Sequence, residues 1–74
     1  MTISFLHRLA EQQLPIAVSR GADIDAVRVL ALAGHVKATI PGPVRTLDGY
    51  TQPPATVTAI TSLGQSMLRR FPRR

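Results

Sequence analysis

The 74-residue chain contains no cysteine. Disulfide staples and thiolate-built metal sites are therefore excluded. Aromatic residues are almost absent, with only Phe5, Tyr50 and Phe71, so the core must be mostly aliphatic. Acids are scarce too, four Asp and Glu against nine Lys and Arg. No apolar run approaches the roughly 18 residues that span a bilayer. The first residues lack the basic start and unbroken apolar middle of a secretion signal. These absences lead to the expectation of a cytoplasmic protein with no membrane partner. A chain this short forms at most one domain and buries only about 60% of its unfolded surface, which makes self-association a reasonable expectation.

The chemistry of a catalytic site is equally sparse. His7 and His35 are the only histidines, and neither has a carboxylate or nucleophile at motif spacing. A histidine near a helix end reads as a surface or capping residue. Asp23 and Asp25 are two positions apart at a helix start, so their side chains diverge, which suits the helix dipole and not a shared acid–base pair. The glycines that follow stand singly and no GK[ST] run occurs, so there is no phosphate loop. The expectation is a non-enzyme with no cofactor, no metal and no small-molecule substrate.

What the chain does have is arginine. Eight of the nine cations are arginine, the formal net charge is +5 and the isoelectric point is near 11.5. Such a balance favours polyanion partners. The excess is local, however. Arg69, Arg70, Arg73 and Arg74 fall within the last six residues, and without them the charge drops to about +1. Residues 72–74 read as a basic tail on a single domain of residues 1–71, and a merely solvated end is the plain alternative.

The longest stretch with helical spacing covers residues 22–36. Ile24, Val27 and Ala31 form a stripe that Val29, Leu30 and Ala33 widen. Asp23 and Asp25 sit at its front, and Gly34 stands where a left-handed C-terminal cap wants no Cβ. Arg28 and Asp25 share the polar face with Leu32, an apolar residue that either lies under other chain segments or meets a partner.

Ahead of this helix, residues 2–13 predict another one. Thr2 would cap it, and Ile3, Phe5, Leu6, Leu9 and Ala10 give it a broad apolar face before Pro15 ends it. Residues 14–21 hold a brief strand through Ile16 and Val18, or one helical turn begun by Pro15.

Strands are expected at residues 35–40 and 56–60. Asp48-Gly49 between them signals a type I′ hairpin turn. That turn would place Ile40 opposite Val57 and Ala38 opposite Ala59, with Val36, Ala38, Ile40, Val57 and Ala59 packing on the helices. Lys37, Thr39, Thr58 and Ile60 would take the other face. Pro41, Pro43, Pro53 and Pro54 remove ladder donors, so residues 41–55 are expected to be a mobile loop or loose ribbon. A last helix, capped by Thr61, carries Leu63, Met67, Leu68 and Phe71 on its apolar face. The expected fold class is α+β, in the order helix, short extended piece, helix, strand, long hairpin, strand, helix.

Leu30, Gly34 and Val36, then a two-stranded loop, then Ile60, Thr61 and Gly64 resemble the C-terminal half of a winged-helix domain. In bacterial regulators of the MarR and PadR type, a recognition helix ending in this way leads into a wing and a further helix. The resemblance covers roughly residues 22–71. It departs from the family at residues 15–21, where the helix that braces the recognition helix is reduced or missing, and this weighs against base-specific reading of the major groove. The resemblance implies a small DNA-binding protein, an accessory transcriptional regulator, working mostly through phosphate contacts. The candidate contacts are Arg20, Arg28, Lys37, Arg45 on the wing, and Arg69, Arg70, Arg73 and Arg74. The second reading is a non-catalytic interaction or dimerisation module on the same scaffold, with Leu32 and Tyr50 as contacts to a protein partner or a second copy. One continuous basic face would favour the first reading. Scattered arginines with an apolar patch at Leu32 or Tyr50 would favour the second.

Overall fold

The computed structural model describes residues 2–72. The fold is α+β, with three helices and five strands in two antiparallel sheets. The first helix, α1 (Thr2–Ala10), is followed by β1 (Ile16–Val18), and α2 (Gly21–Leu32) then leads into β2 (Val36–Thr39). A ribbon of β3 (Val44–Thr46) and β4 (Gly49–Thr51) precedes β5 (Ala55–Ile60) and α3 (Ser62–Arg70). The main sheet has the order β1-β5-β2. Residues 14–21 therefore supply a strand, not a helical turn.

The core is wholly apolar. Phe5, Leu6 and Leu9 from α1 meet Ile24, Val27 and Leu30 from α2, over Val18, Val36, Ala55 and Val57 of the sheet. Burial of aliphatic side chains contributes roughly 1.5–3 kcal/mol each, and these ten residues hold the layers together. The stripe on α2 is narrower than its sequence implies. Val29 is half exposed and Ala33 lies on the surface, as does Ala10 of α1.

Two further expectations are corrected. The first helix ends at Ala10, not at residue 13. Glu11 and Gln12 donate to the carbonyls of Arg8 and Leu9 at 3.2 and 3.1 Å, tight i to i−3 turns that let the chain reverse and lay Ile16 beside Val57. The cap assigned to Thr2 lies outside the described side chains.

The hairpin register is also different. The turn residues are Leu47 and Asp48, with Thr46 opposite Gly49. Gly49 alone in the turn has positive φ, at 128°. A type I′ turn needs positive φ at both central residues, and among the described residues no non-glycine residue takes it, so the turn is not of that type; it lies one residue earlier. The shift places Ala38, not Ile40, opposite Val57. A bulge between Lys37 and Ala38 then pairs Lys37 with Ala59 and Val36 with Ile60. As a result Ile60, not Ala59, packs on the core. Thr58 keeps the outer face and donates its hydroxyl to the Lys37 carbonyl at 3.0 Å.

Of the mobile loop or loose ribbon expected over residues 41–55, the structure shows a ribbon, paired over Val44–Thr46 and Gly49–Thr51. The prolines do interrupt pairing, so the ribbon is a sheet separate from β2 and β5. Its neck is tied by the Gln52 side-chain amide, which donates to the carbonyls of Pro41 at 2.6 Å and Pro53 at 3.2 Å. Beyond this neck β3 and β4 have extensive contact only with each other. The molecule measures 46 × 21 × 20 Å, with a radius of gyration of 13.1 Å. A compact chain of this length would have about 11 Å, and the projecting ribbon accounts for the difference.

At the other end of the sheet, α2 closes in a Schellman turn. Gly34 takes φ 80°, its N–H donates to Ala31 and that of His35 donates to Leu30. Thr61 caps α3 by accepting from the Gly64 N–H at 3.1 Å, and donates its own hydroxyl to the Gly34 carbonyl. Gly64 is buried, and a Cβ there would overlap the His35 carbonyl oxygen and lie 2.7 Å from Ile60 Cγ2.

Chemical denaturation of three variants tests this junction. Gly64→Ala should cost about 1–3 kcal/mol through overpacking. Thr61→Val should cost about 0.5–2 kcal/mol through the lost cap. Gly34→Val should cost at least roughly 1–2 kcal/mol, because a left-handed position is forced on a residue with a Cβ. In thermal melts each kcal/mol corresponds to about 4–8 °C for a domain of this size.

Candidate interaction surfaces

The described candidate cations come from different elements, namely α2 and its N-cap, β2, β3 and α3. Arg20 is the N-cap residue of α2, with an extended backbone whose carbonyl accepts from Ile24 at 2.8 Å. It lines a shallow groove with Arg8, Phe5 and Asp23. Arg8 was not among the sequence candidates. Its guanidinium lies 5.4 Å from the centre of the Phe5 ring, an i, i+3 pairing the sequence does carry. Lys37 points to solvent from β2 and Arg45 does so from β3. Arg69 and Arg70 fall in the last turn of α3, where cations complement the helix dipole. They border a depression with Leu63 and Ser66, and Arg69 donates to the Ser66 hydroxyl at 3.2 Å. Arg73 and Arg74 lie outside the described residues.

Arg28 is engaged differently. It donates to Asp25 at 2.8 Å across one turn of α2. Both side chains are exposed, so the pair adds little to stability. Its consequence is electrostatic, because the one cation of α2 is matched by a carboxylate one turn earlier, and Asp23 adds a further negative charge in the first turn. Among the described residues Arg20, Lys37 and Arg45 have no such anionic partner.

Exposed apolar side chains lie on the ribbon, on α2 and on the last helical segment. Leu47 at the ribbon tip is fully exposed, at 105%. Tyr50 is 73% exposed, and Val44 half exposed on the same ribbon. Tyr50 lies directly opposite Arg45. On α2, Leu32 is 84% exposed, so neither the hairpin nor α3 covers it, and half-exposed Val29 lies on the same helix. Leu63 and Phe71 of the last helical segment are likewise half exposed, while Met67 and Leu68 pack on the core. A turn at Asp48-Gly49 and a loose ribbon over residues 41–55 give Leu47 and Val44 no defined position, so the sequence does not single them out. An apolar residue immediately before Asp-Gly was the available signal.

The two histidines occupy structural positions. The His7 ring approaches the Phe71 carbonyl at 2.6 Å through Nε2, so an imidazole N–H from α1 caps the C-terminus of α3. His35 forms the end of the Schellman turn. Among the described residues no three His, Asp or Glu side chains group as metal ligands, and no helix is long and apolar enough to cross a membrane.

Comparison with protein-family models, with curated proteins and with solved structures gave no match.

Proposed function

We propose that this chain is a non-catalytic protein-interaction module on a winged-helix-like scaffold, acting in the cytoplasm. The order of α2, β2, the ribbon, β5 and α3 supports the winged-helix resemblance. So do the roles of Gly34, Thr61 and Gly64 at the junction. The observation that carries the interaction reading is the ribbon. It stands clear of the body and presents Val44, Leu47 and Tyr50 to water. Tyr50 shares a face with Arg45 and Val44 lies on the other face, so both faces of this projecting element offer apolar surface to a partner. The helix in the recognition position agrees with this reading. Its outward residues include Val29 and Leu32, and its only cation is matched by Asp25. Such a face offers little to a phosphate backbone.

DNA binding is the second reading, favoured by the unpaired Arg20, Lys37 and Arg45. In that case Arg45 at the ribbon would lead and the phosphate contacts would be electrostatic. Three such contacts would weaken binding roughly 40-fold between 50 and 200 mM salt.

Fluorescence anisotropy with a labelled duplex, in a salt series, separates the two readings. The full chain and a chain ending at Pro72 are compared, the latter keeping the His7–Phe71 contact. The interaction reading expects any binding to disappear with Arg73 and Arg74. Salt-dependent binding that survives the truncation and falls with Arg45→Ala would favour DNA instead. Under that outcome Asp25→Asn, which frees Arg28, should raise affinity.

Leu32→Asp and Leu47→Asp provide the complementary test. Both positions are exposed, so each variant should unfold within about 0.5 kcal/mol of the parent chain. Sedimentation velocity should show weaker association in at least one of them. Unchanged association in both would count against the apolar contact surface.

A further inference from the structure

We infer that the ribbon's partner is a second copy of this chain, joined through the β4 edges so that two ribbons make one four-stranded antiparallel sheet about a two-fold axis at Tyr50. This rests on the interaction reading and names the partner for it.

The first ground is the ribbon's incompleteness. β3 and β4 are three residues long and pair only with each other. A two-stranded ribbon in water is marginal without a third strand or a packed face. Here both are lacking, since Val44, Leu47 and Tyr50 are exposed and one backbone edge of each strand is unpaired. Two further strands, in continuation of the same sheet, supply what is missing.

The second ground decides which edge is used. A two-fold axis makes a strand meet its own copy antiparallel, so the residue on the axis faces itself. Pairing through β3 about its central residue would set Arg45 against Arg45 of the partner subunit. Like charges directly opposite are destabilising. Pro43, just before β3, also has no N–H to give to a ladder. Pairing through β4 sets Tyr50 against Tyr50 of the partner subunit, Gly49 against Thr51, and Asp48 against Gln52. No like charges meet, and the central pair is aromatic, a favourable cross-strand pairing. Because Arg45 already lies opposite Tyr50, one row across the sheet would read arginine, tyrosine, tyrosine, arginine.

The third ground is charge. Each copy carries a net +5, so two copies repel. In residues 41–55 the only charges are Arg45 and Asp48, which cancel. The ribbon is thus a neutral surface that projects from a basic body. Joining tip regions keeps the two basic bodies apart, and their repulsion is reduced further by salt.

Site-specific crosslinking of the full chain tests this. The chain has no cysteine, so Tyr50→Cys introduces a unique thiol. Across the axis the two Cα atoms would lie about 4.5–5.5 Å apart, within disulfide reach. Mild oxidation should give rapid and complete covalent dimer for Tyr50→Cys, and only slow, partial product for Leu32→Cys. Sedimentation velocity should show a dimer for the parent chain and a several-fold weaker one for Tyr50→Lys, which sets two ammonium groups face to face. Circular dichroism should show both Tyr50 variants folded, because this side chain is exposed. A dimer that crosslinks at Leu32 and survives Tyr50→Lys would overturn the ribbon pairing and leave the interaction reading standing. A monomer at the highest soluble concentration would overturn the second copy as partner. Salt-dependent duplex binding by the chain ending at Pro72, with no association, would overturn the interaction reading as well.

Discussion

Thr61 stands where three elements meet. Its hydroxyl donates to the Gly34 carbonyl at the end of α2 and accepts from the Gly64 N–H in the first turn of α3. Its own N–H donates to the His35 carbonyl at 3.0 Å, just before β2 begins. A hydroxyl has one hydrogen to give and lone pairs to receive, and here both functions are used within one side chain. The arrangement is possible only because Gly34 turns left-handed and Gly64 has no Cβ to strike His35. With α2, β2 and α3 fixed together at this end of the sheet, β5 is held at its C-terminus. The other end of the hairpin is then free to carry a ribbon.

The structure separates stability from presentation. The body holds all ten buried apolar residues, and no polar side chain is buried among the described residues. The ribbon contributes none of them. Four prolines and a Gln52 amide make the neck where one regime passes into the other. Substitutions beyond the neck therefore change what the molecule displays without removing packing from its core. Such a division suits an element whose sequence answers to a partner.

The electrostatics follow the same separation. The positive charge is spread over the groove of Arg8 and Arg20, the end of α3, and single positions on β2 and β3. The outer face of α2 gains no net positive charge from Arg28, because Asp25 holds it. A basic isoelectric point therefore describes the chain as a whole and not a concentrated polyanion surface within the described residues. Of the two functional readings open to the sequence, the exposed apolar ribbon gives greater support to contact with protein.

The sequence by itself determined whatever depends on a few neighbouring residues. The Gly34 cap, the Thr61 cap, the strand after α2 and the proline breaks in the hairpin are all set by bonds or steric limits within about one turn of chain, so their residues announce them. The tertiary structure alone decided the matters that sum over distant contacts. The end of α1 at Ala10 depends on bringing Ile16 to Val57. The bulge that turns Ile60 inward depends on matching the hairpin to Val36 and the helices at once. The exposure of Leu47 and Leu32 depends on which segments fail to cover them. Residue type does not encode that failure, because an apolar side chain has the same chemistry whether the fold buries it or leaves it in water.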